Sequence, residues 1–307
     1  MIEQHLSILL VLVTLLAEPI TAILPPPRIA WLLTLVTTWS CLLLAVWQLQ
    51  SVLDGNIISY ELGVWAPPWG IEYRIDTLNA FVAVIVTAIA AITLPYALRS
   101  VEREIPSRQI QLFYTAFLLC LVGLLDISQT GDIFNLFVFL EISSLSSYVL
   151  IAMGQQRRAL TAAYQYLIMG TIGATFLLIG IGLLFAETGT LNMMDLNQRL
   201  QPILDHRTVH TGFAFIVVGI ALKLALFPLH LWLPNAYGQW YPISSASHVC
   251  LPVLPIRSPA LPAHPLLRPL LLFPLKPGHQ LSTTSRIKAL LHLHTYRISE
   301  EDRSRVL

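Results

Sequence analysis

The chain has 307 residues, of which 55% are apolar and only 11% are charged, and its formal net charge is +1. Soluble domains carry about 25% charged residues, so this composition excludes a disordered chain, an ordinary soluble enzyme and a nucleic-acid-binding protein. It indicates a protein that crosses a membrane several times, provided that its apolar residues form long runs.

Seven apolar runs follow one another in the first 241 residues. A helix needs about 20 mainly apolar residues to cross the hydrocarbon core of a bilayer. We therefore predict an all-α fold, a polytopic membrane bundle of about seven transmembrane helices that forms one domain over residues 1–241. The predicted helices cover 6–24, 29–50, 77–98, 109–129, 133–153, 162–187 and 210–237.

The loops between these runs predict how the chain is oriented. Cytoplasmic loops of membrane proteins carry an excess of Lys and Arg. Six arginines lie in the loops after the first, third and fifth helices, and three lie in the segments on the opposite side. We expect a multi-pass protein of the inner cell membrane with its N-terminus outside, an external cap at 51–76 and a short surface helix near 194–204.

The composition changes near residue 242. Residues 1–241 hold 14 acidic and 10 basic side chains, whereas 242–307 hold 3 acidic and 8 basic ones, and nine of the 20 prolines lie within 242–277. Prolines at this density exclude a spanning helix, because each ring removes a backbone hydrogen bond and clashes with the preceding turn. Two interpretations stay open for 242–307: a disordered or surface-associated tail, and a sequence that is truncated or has left its original reading frame.

Two ionisable residues lie near the centres of predicted spans. A charge at the centre of a membrane helix costs about 2.5–3.5 kcal/mol on insertion scales, so it must be paired, hydrated or functional. Lys223 is the only lysine among the first 275 residues, and Glu141 lies in the fifth predicted helix. We predict that these two side chains pair or share a water chain, and that they carry protons.

Prolines follow Lys223 closely. Neither Pro228 nor Pro234 can donate an N–H to the carbonyl one turn earlier, so we predict that they break the seventh helix into two halves. Broken helices occur in transport proteins where the polar backbone lines a wet cavity or a protein interior. His230 lies between the two prolines, and it is predicted either to be the next proton relay station or to cap the broken helix.

Three weaker signals complete the set of candidates. Asp126 lies at a helix end, where solvent can reach it, and Asp132 lies at a helix start, where a carboxylate caps free amides. Both are secondary candidates for the relay. The sixth predicted helix carries glycines that we expect to allow close helix packing: Gly170, Gly173, Gly180 and Gly182.

Four segments resemble a known family. GDIFNLFVFLE, YQYLIMGTIGATFLLIGIGLL, TGTLNMMDL and LKLALFPLHLWLPNAY are similar to the proton-conducting antiporter-type subunits of respiratory NADH:quinone oxidoreductase, membrane-bound hydrogenases and multisubunit Mrp-type cation/proton antiporters. The stretch YELGVWAPPWGIEYRID is most similar to the branch of the Mrp antiporters' D-type subunits. The resemblance covers roughly residues 5–241.

The resemblance implies a fold and a set of roles. The fold is a bundle of two inverted helical repeats, each with a broken helix. The family's key glutamate, lysine and histidine correspond to Glu141, Lys223 and His230. The predicted function is therefore that of a proton-translocating membrane subunit of a cation/proton antiporter or an NADH:quinone oxidoreductase-like complex. The alternative is a non-conducting structural or assembly subunit, or a defective fragment.

The sequence departs from the family after LPNAY, where it reads GQWYPISSASHVCLPVLP in place of a lysine-bearing eighth helix and a second repeat. A proton path limited to one repeat reaches the bilayer centre from one side only, so we expect no conduction by this chain alone. Its expected partners are other membrane subunits, protons with or without Na⁺ or K⁺, and the lipid bilayer, but no nucleic acid.

No cofactor or metal is expected for this chain. The three cysteines, Cys41, Cys120 and Cys250, lie far apart and have no metal-ligand spacing. The sequence also holds no recognisable flavin, nicotinamide or haem motif. Whether the chain deserves an enzyme label stays open, because any NADH:quinone oxidoreductase activity would come from the assembled complex.

Overall fold

The computed structural model describes residues 2–23, 26–154, 157–227, 229–230 and 232–233. The tail predicted for 242–307 lies outside these residues. The helices are α1 (Ile2–Ile23), α2 (Pro27–Val52), α3 (Thr77–Glu104), α4 (Ile110–Gln129), α5 (Ile133–Ala152), α6 (Arg157–Thr188), α7 (Met193–Leu200) and α8 (Arg207–Lys223), and the strands are β1 (Ile58–Glu61) and β2 (Glu72–Ile75).

Six helices in the described part of the chain, α1 to α6, are long and apolar enough to cross a membrane. The chain is therefore a polytopic helical membrane protein, as predicted. The bounds of these six helices lie within two helical turns of the predicted ones, and α7 occupies the place of the predicted surface helix. The seventh predicted span differs, because α8 has 17 residues and ends at Lys223.

Helix α4 lies at the centre of the bundle that α1 to α5 form, and α1, α3 and α5 pack around it. About two thirds of its apolar segment is buried inside the protein (67%), twice the share of α5 (33%). Its ring and leucine side chains interlock with those neighbours, so the core resembles that of a soluble helical protein, while the outer helices keep apolar faces for lipid. The most buried α4 side chains are Phe113, Tyr114, Phe117, Leu118, Leu121 and Leu125.

Helices α6 and α8 approach each other along paired glycines, which we call the glycine seam: Gly173 and Gly180 of α6 with Gly212 and Gly219 of α8. A Cβ at Gly219 would lie 2.7 Å from the carbonyl oxygen of Gly173, and a Cβ at Gly180 would lie 2.7 Å from that of Gly212. Small residues let two helix backbones meet this closely.

The predicted role of the sixth-helix glycines is confirmed for three of the four. Gly173 and Gly180 belong to the glycine seam, and a Cβ at Gly170 would collide with the hydroxyl of Tyr148 on α5. For Gly182 the prediction is wrong, since a Cβ there would have nothing within 4 Å. Its side of the helix faces away from both neighbours.

The predicted external cap contains a small antiparallel hairpin that sequence reasoning did not predict. Strands β1 and β2 pair from Ile58 with Ile75 to Glu61 with Glu72. The hairpin is attached to the turn between α4 and α5, because the Gly131 N–H donates to the Glu72 carbonyl at 2.8 Å. The Glu72 carboxylate is buried and accepts hydrogen bonds from Ser59 and Asn192.

Candidate functional site at the Glu141–Lys223 pair

Helix α8 stops at Lys223 through a well-defined C-terminal motif. Ala225 adopts the left-handed backbone conformation with φ +52°. The Ala225 N–H donates to the carbonyl of Leu222 at 3.3 Å, and the Leu226 N–H reaches back to that of Ala221 at 3.0 Å. These two bonds form a Schellman motif, which satisfies carbonyls that the ended helix leaves without partners.

The helix therefore ends earlier than the predicted proline break. Pro228 and Pro234 lie outside the described residues, and the last helical residue of α8, Lys223, comes five positions before Pro228. A proline ring disfavours helical backbone at the preceding residue and clashes one turn back, so the chain must leave the helix by then. It does so at Ala225, which places the broken end directly beside the lysine.

Glu141 of α5 and Lys223 of α8 meet at this helix end. The Lys223 ammonium donates a hydrogen bond to Oε1 of Glu141 and forms an ion pair with it. The ammonium also lies 3.3 Å from the Ser144 hydroxyl oxygen, one turn along α5 from the glutamate. The Lys223 side chain is only 10% exposed and that of Glu141 is 23% exposed. The pair is therefore mostly buried, but part of the glutamate stays accessible from outside the protein.

His230 lies near the same broken end, seven residues after Lys223. Its ring packs beside that of Phe227, with 5.5 Å between the centroids. Its Nδ1 atom is buried and has no hydrogen-bond partner within the described ranges. The structure brings Glu141 and Lys223 together, whereas it joins His230 to neither of them by a hydrogen bond in the described part of the chain.

Asp126 is not solvated, contrary to the sequence-based expectation. It has no exposed surface, and its carboxylate accepts hydrogen bonds from the hydroxyl of Tyr73 on β2 and from the amide of Asn135 on α5 at 2.8 Å. Burial and the neighbouring carboxylate raise the pKa of the Tyr73 hydroxyl. Asp126 thus ties the β1–β2 hairpin to two helices, at a place separate from the Glu141–Lys223 pair.

Asp132 caps the start of α5, as predicted for a carboxylate at a helix N-terminus. Its Oδ1 atom accepts hydrogen bonds from the backbone N–H groups of Phe134 at 2.9 Å and Asn135 at 2.8 Å. Burial raises the pKa of Asp132, and these two backbone donors oppose that shift. Its geometry is that of a helix cap.

Two residues of the site, Ala225 and Trp232, were not predicted from the sequence. Ala225 carries no signal, because glycine or asparagine is the usual residue at a left-handed helix end. Trp232 donates its indole N–H to the carbonyl of Leu222 at 3.1 Å, a contact that no spacing pattern predicts. In the ranges that the structure describes, no group of three His, Cys, Asp or Glu side chains is arranged to hold a metal ion.

Comparison with known proteins supports the resemblance. Residues 130–245 match the family model described as NADH:quinone oxidoreductase/Mrp antiporter, TM. The N-type subunit of the NADH-quinone oxidoreductase of Desulforudis audaxviator is 47% identical over 194 residues, which cover 63% of this chain and 38% of the relative. The D-type subunit of the Na(+)/H(+) antiporter of Alkalihalophilus pseudofirmus is 29% identical over 196 residues, which cover 64% and 39%.

Two solved structures share the fold. A chain of the membrane-bound sulfane sulfur reductase, an archaeal respiratory membrane complex, superposes with a TM-score of 0.70 at 32% identity, covering 76% of this chain and 47% of the other. A chain of the Mrp complex from Dietzia sp. DQ12-45-1b gives a TM-score of 0.71 at 24% identity, covering 80% and 45%. The chain spans about two fifths of the length of the curated relatives it matches. The predicted resemblance to antiporter-type membrane subunits is confirmed.

Proposed function

We propose, from the premise that this chain is similar to antiporter-type membrane subunits, that it provides one part of a proton path in a multisubunit membrane complex. The observation that carries the proposal is the ion pair between Glu141 and Lys223 at the end of a broken helix. An intramembrane pair of this kind is costly and is therefore a functional site by default.

The pair can hold and release a proton through a small change in its surroundings. With Glu141 ionised, the ammonium of Lys223 has a full negative charge beside it. A proton that arrives at Glu141 removes that charge and leaves only neutral groups, the glutamic acid and the Ser144 hydroxyl, at these two contacts of the ammonium. An ammonium that is shielded from water and loses the full charge of its carboxylate partner is less stable than before, so its own proton can pass to the next group.

His230 is the next group in the proposed path. A neutral imidazole can take a proton at one ring nitrogen and give one from the other, and the Nδ1 atom of His230 is buried without a partner in the described part of the chain. A bridging water would join it to the pair. The helix break supports this arrangement, because irregular backbone beside a buried charge is tolerated where it lines a polar interior.

The proposed function includes partner subunits, transported ions and a location in the membrane. The partners are other membrane subunits, and the moved ions are protons with or without Na⁺ or K⁺. The chain lies in the inner cell membrane with its N-terminus outside. Asp126 and Asp132 stay outside the proposed path, since their hydrogen bonds to Tyr73 and to the α5 backbone describe structural roles.

The test is proton transport by vesicles that hold the complex, followed with a pH-sensitive dye. Lys223→Ala and Glu141→Gln should each abolish transport without lowering the amount of assembled complex, because each removes one half of the pair. The matched control is Asp54→Asn, which neutralises an exposed carboxylate far in sequence from both Glu141 and Lys223 and should leave transport unchanged. Normal transport by Lys223→Ala would reject the relay and favour a non-conducting structural subunit.

A further inference from the structure

The indole of Trp232 touches the broken helix end immediately before Lys223. Its Nε1–H donates to the carbonyl oxygen of Leu222 at 3.1 Å, the same oxygen that accepts the N–H of Ala225. The side chain is only 5% exposed. One side chain from beyond the break thus adds a side-chain donor to a carbonyl in the last turn of α8, where backbone acceptors lack helical partners.

A stack of three rings fixes this indole. Trp232 lies face to face with Tyr166 of α6, with centroids 4.3 Å apart and an interplanar angle of 7°. Tyr166 in turn meets the edge of Tyr148 of α5 at 4.4 Å. Aromatic pairs in these offset and edge-on arrangements attract each other beyond the burial of their surfaces. The segment after the break is therefore anchored to α5 and α6.

Helix α5 is contacted from both sides of the break. Ahead of the break, Lys223 binds Glu141 and Ser144, while beyond it Trp232 reaches the ring of Tyr148 through Tyr166. Glu141, Ser144 and Tyr148 recur at intervals of three and four residues, so they share one face of the helix. The left-handed Ala225 is buried in the same cluster as the three rings. These contacts hold the turn that ends α8 against α5, the helix that carries Glu141.

We propose that Trp232 is a positioning residue, which holds the end of α8 in the place where Lys223 meets Glu141. Without the indole donor, the Leu222 carbonyl keeps, among the residues that the structure describes, backbone donors alone, one of them at 3.3 Å, and the helix end is free to shift away from α5. The importance of this position for transport rests on the proposed function, but the position of the ammonium itself can be measured separately.

Chemical labelling of Glu141 tests this proposal in the full chain in membranes. A hydrophobic carbodiimide adds to protonated carboxyls and leaves a stable N-acylurea, whereas an ammonium partner keeps a carboxyl ionised and unreactive. In Trp232→Phe we expect labelling of Glu141, measured by peptide mass spectrometry, to rise about fivefold, the factor that the loss of one hydrogen bond of about 1 kcal/mol produces in an equilibrium.

The matched control is Trp31→Phe. Trp31 of α2 also donates its indole N–H to a leucine carbonyl, that of Leu94, at 3.1 Å, but this bond lies between α2 and α3. Labelling of Glu141 should stay at the wild-type level in this variant. Unchanged labelling in Trp232→Phe, or an equal rise in Trp31→Phe, overturns the proposal.

A second variant keeps the test decisive if Trp232→Phe fails to accumulate. Tyr166→Leu removes the ring on which the indole stacks but leaves its N–H in place, and it should raise labelling of Glu141 as well. Wild-type labelling in this variant also overturns the positioning role. The labelling does not depend on transport, so a normal transport rate in Glu141→Gln would reject the relay and leave the positioning of Lys223 by Trp232 to be decided by the labelling alone.

Discussion

Gly219→Ala should force α8 away from α6. The added Cβ would lie 2.7 Å from the carbonyl oxygen of Gly173 and 2.8 Å from the backbone nitrogen of Leu177. Both are backbone atoms, which cannot rotate aside as a side chain can. Since ordinary contact begins near 3.4 Å, the helices must separate locally by about 0.7 Å to relieve the overlap.

The loss of stability in Gly219→Ala can be compared with the effect of Gly182→Ala, a control on the neighbouring helix α6. Overpacking of a close contact costs about 1–3 kcal/mol, while alanine in place of glycine gains up to about 1 kcal/mol of helix propensity. Gly182→Ala has only the gain, because its Cβ meets nothing within 4 Å. Gly182→Ala should therefore exceed Gly219→Ala in stability by about 1–3 kcal/mol.

The assay is thermal unfolding of the detergent-solubilised chain, followed by a dye that fluoresces on reaction with thiols. Cys41 and Cys120 are both buried, so they react only as the helices open, and a Cys250→Ser background removes the third thiol. We expect a lower midpoint for Gly219→Ala and an unchanged or higher one for Gly182→Ala. Equal midpoints for the two variants would refute the close approach of the glycine seam.

Two further changes test contacts near the ends of the helices, away from the Glu141–Lys223 pair. Asp126→Asn replaces one acceptor oxygen with a donor, so either the Tyr73 hydroxyl or the Asn135 amide loses its partner; unfolding in the same assay should be easier by about 1–3 kcal/mol, and a neutral result would contradict the hydrogen-bond network. The hydrogen bond from Arg199 lowers the pKa of Asp195, so this carboxylate stabilises the fold above its unfolded pKa and loses that effect as the pH falls through its folded pKa. The midpoint of thermal unfolding, followed here by the circular dichroism of the helices, should thus fall more steeply for the wild type than for Asp195→Asn between about pH 5 and pH 3, and parallel curves would argue against the pair.

The positions of the spans and of the Glu141–Lys223 pair were predictable because two large free-energy contributions, the burial of apolar side chains in the bilayer and the cost of a charge there, can be read from short stretches of sequence. Hydropathy over about 20 residues defines a membrane helix, and α1 to α6 follow it. The cost of an unpaired charge in the bilayer led to the same two residues, Glu141 and Lys223, that meet in the structure. The β1–β2 hairpin depends instead on contacts distant in sequence, such as the hydrogen bond from the Gly131 N–H to the Glu72 carbonyl, and four-residue strands give little signal of their own.

The burial of Asp126 and the end of α8 were missed for a related reason. Asp126 is at the end of its helix in sequence, but Tyr73, which lies 53 residues earlier, covers it. The prolines after Lys223 predicted a broken helix, and α8 ends at Lys223, where Ala225 has a left-handed backbone and the indole of Trp232 donates to the Leu222 carbonyl. These contacts arise only when separate helices have packed together.

The end of α8 at Lys223 also gives the ammonium a counter-charge that no proton can neutralise. Aligned peptide dipoles place about half a negative elementary charge at the C-terminus of a helix, and the effect is confined to the last turn. Lys223 is the last residue of that turn, so it keeps a negative neighbour even when Glu141 is protonated. A helix that ran on unbroken would carry this fixed charge beyond the reach of the lysine.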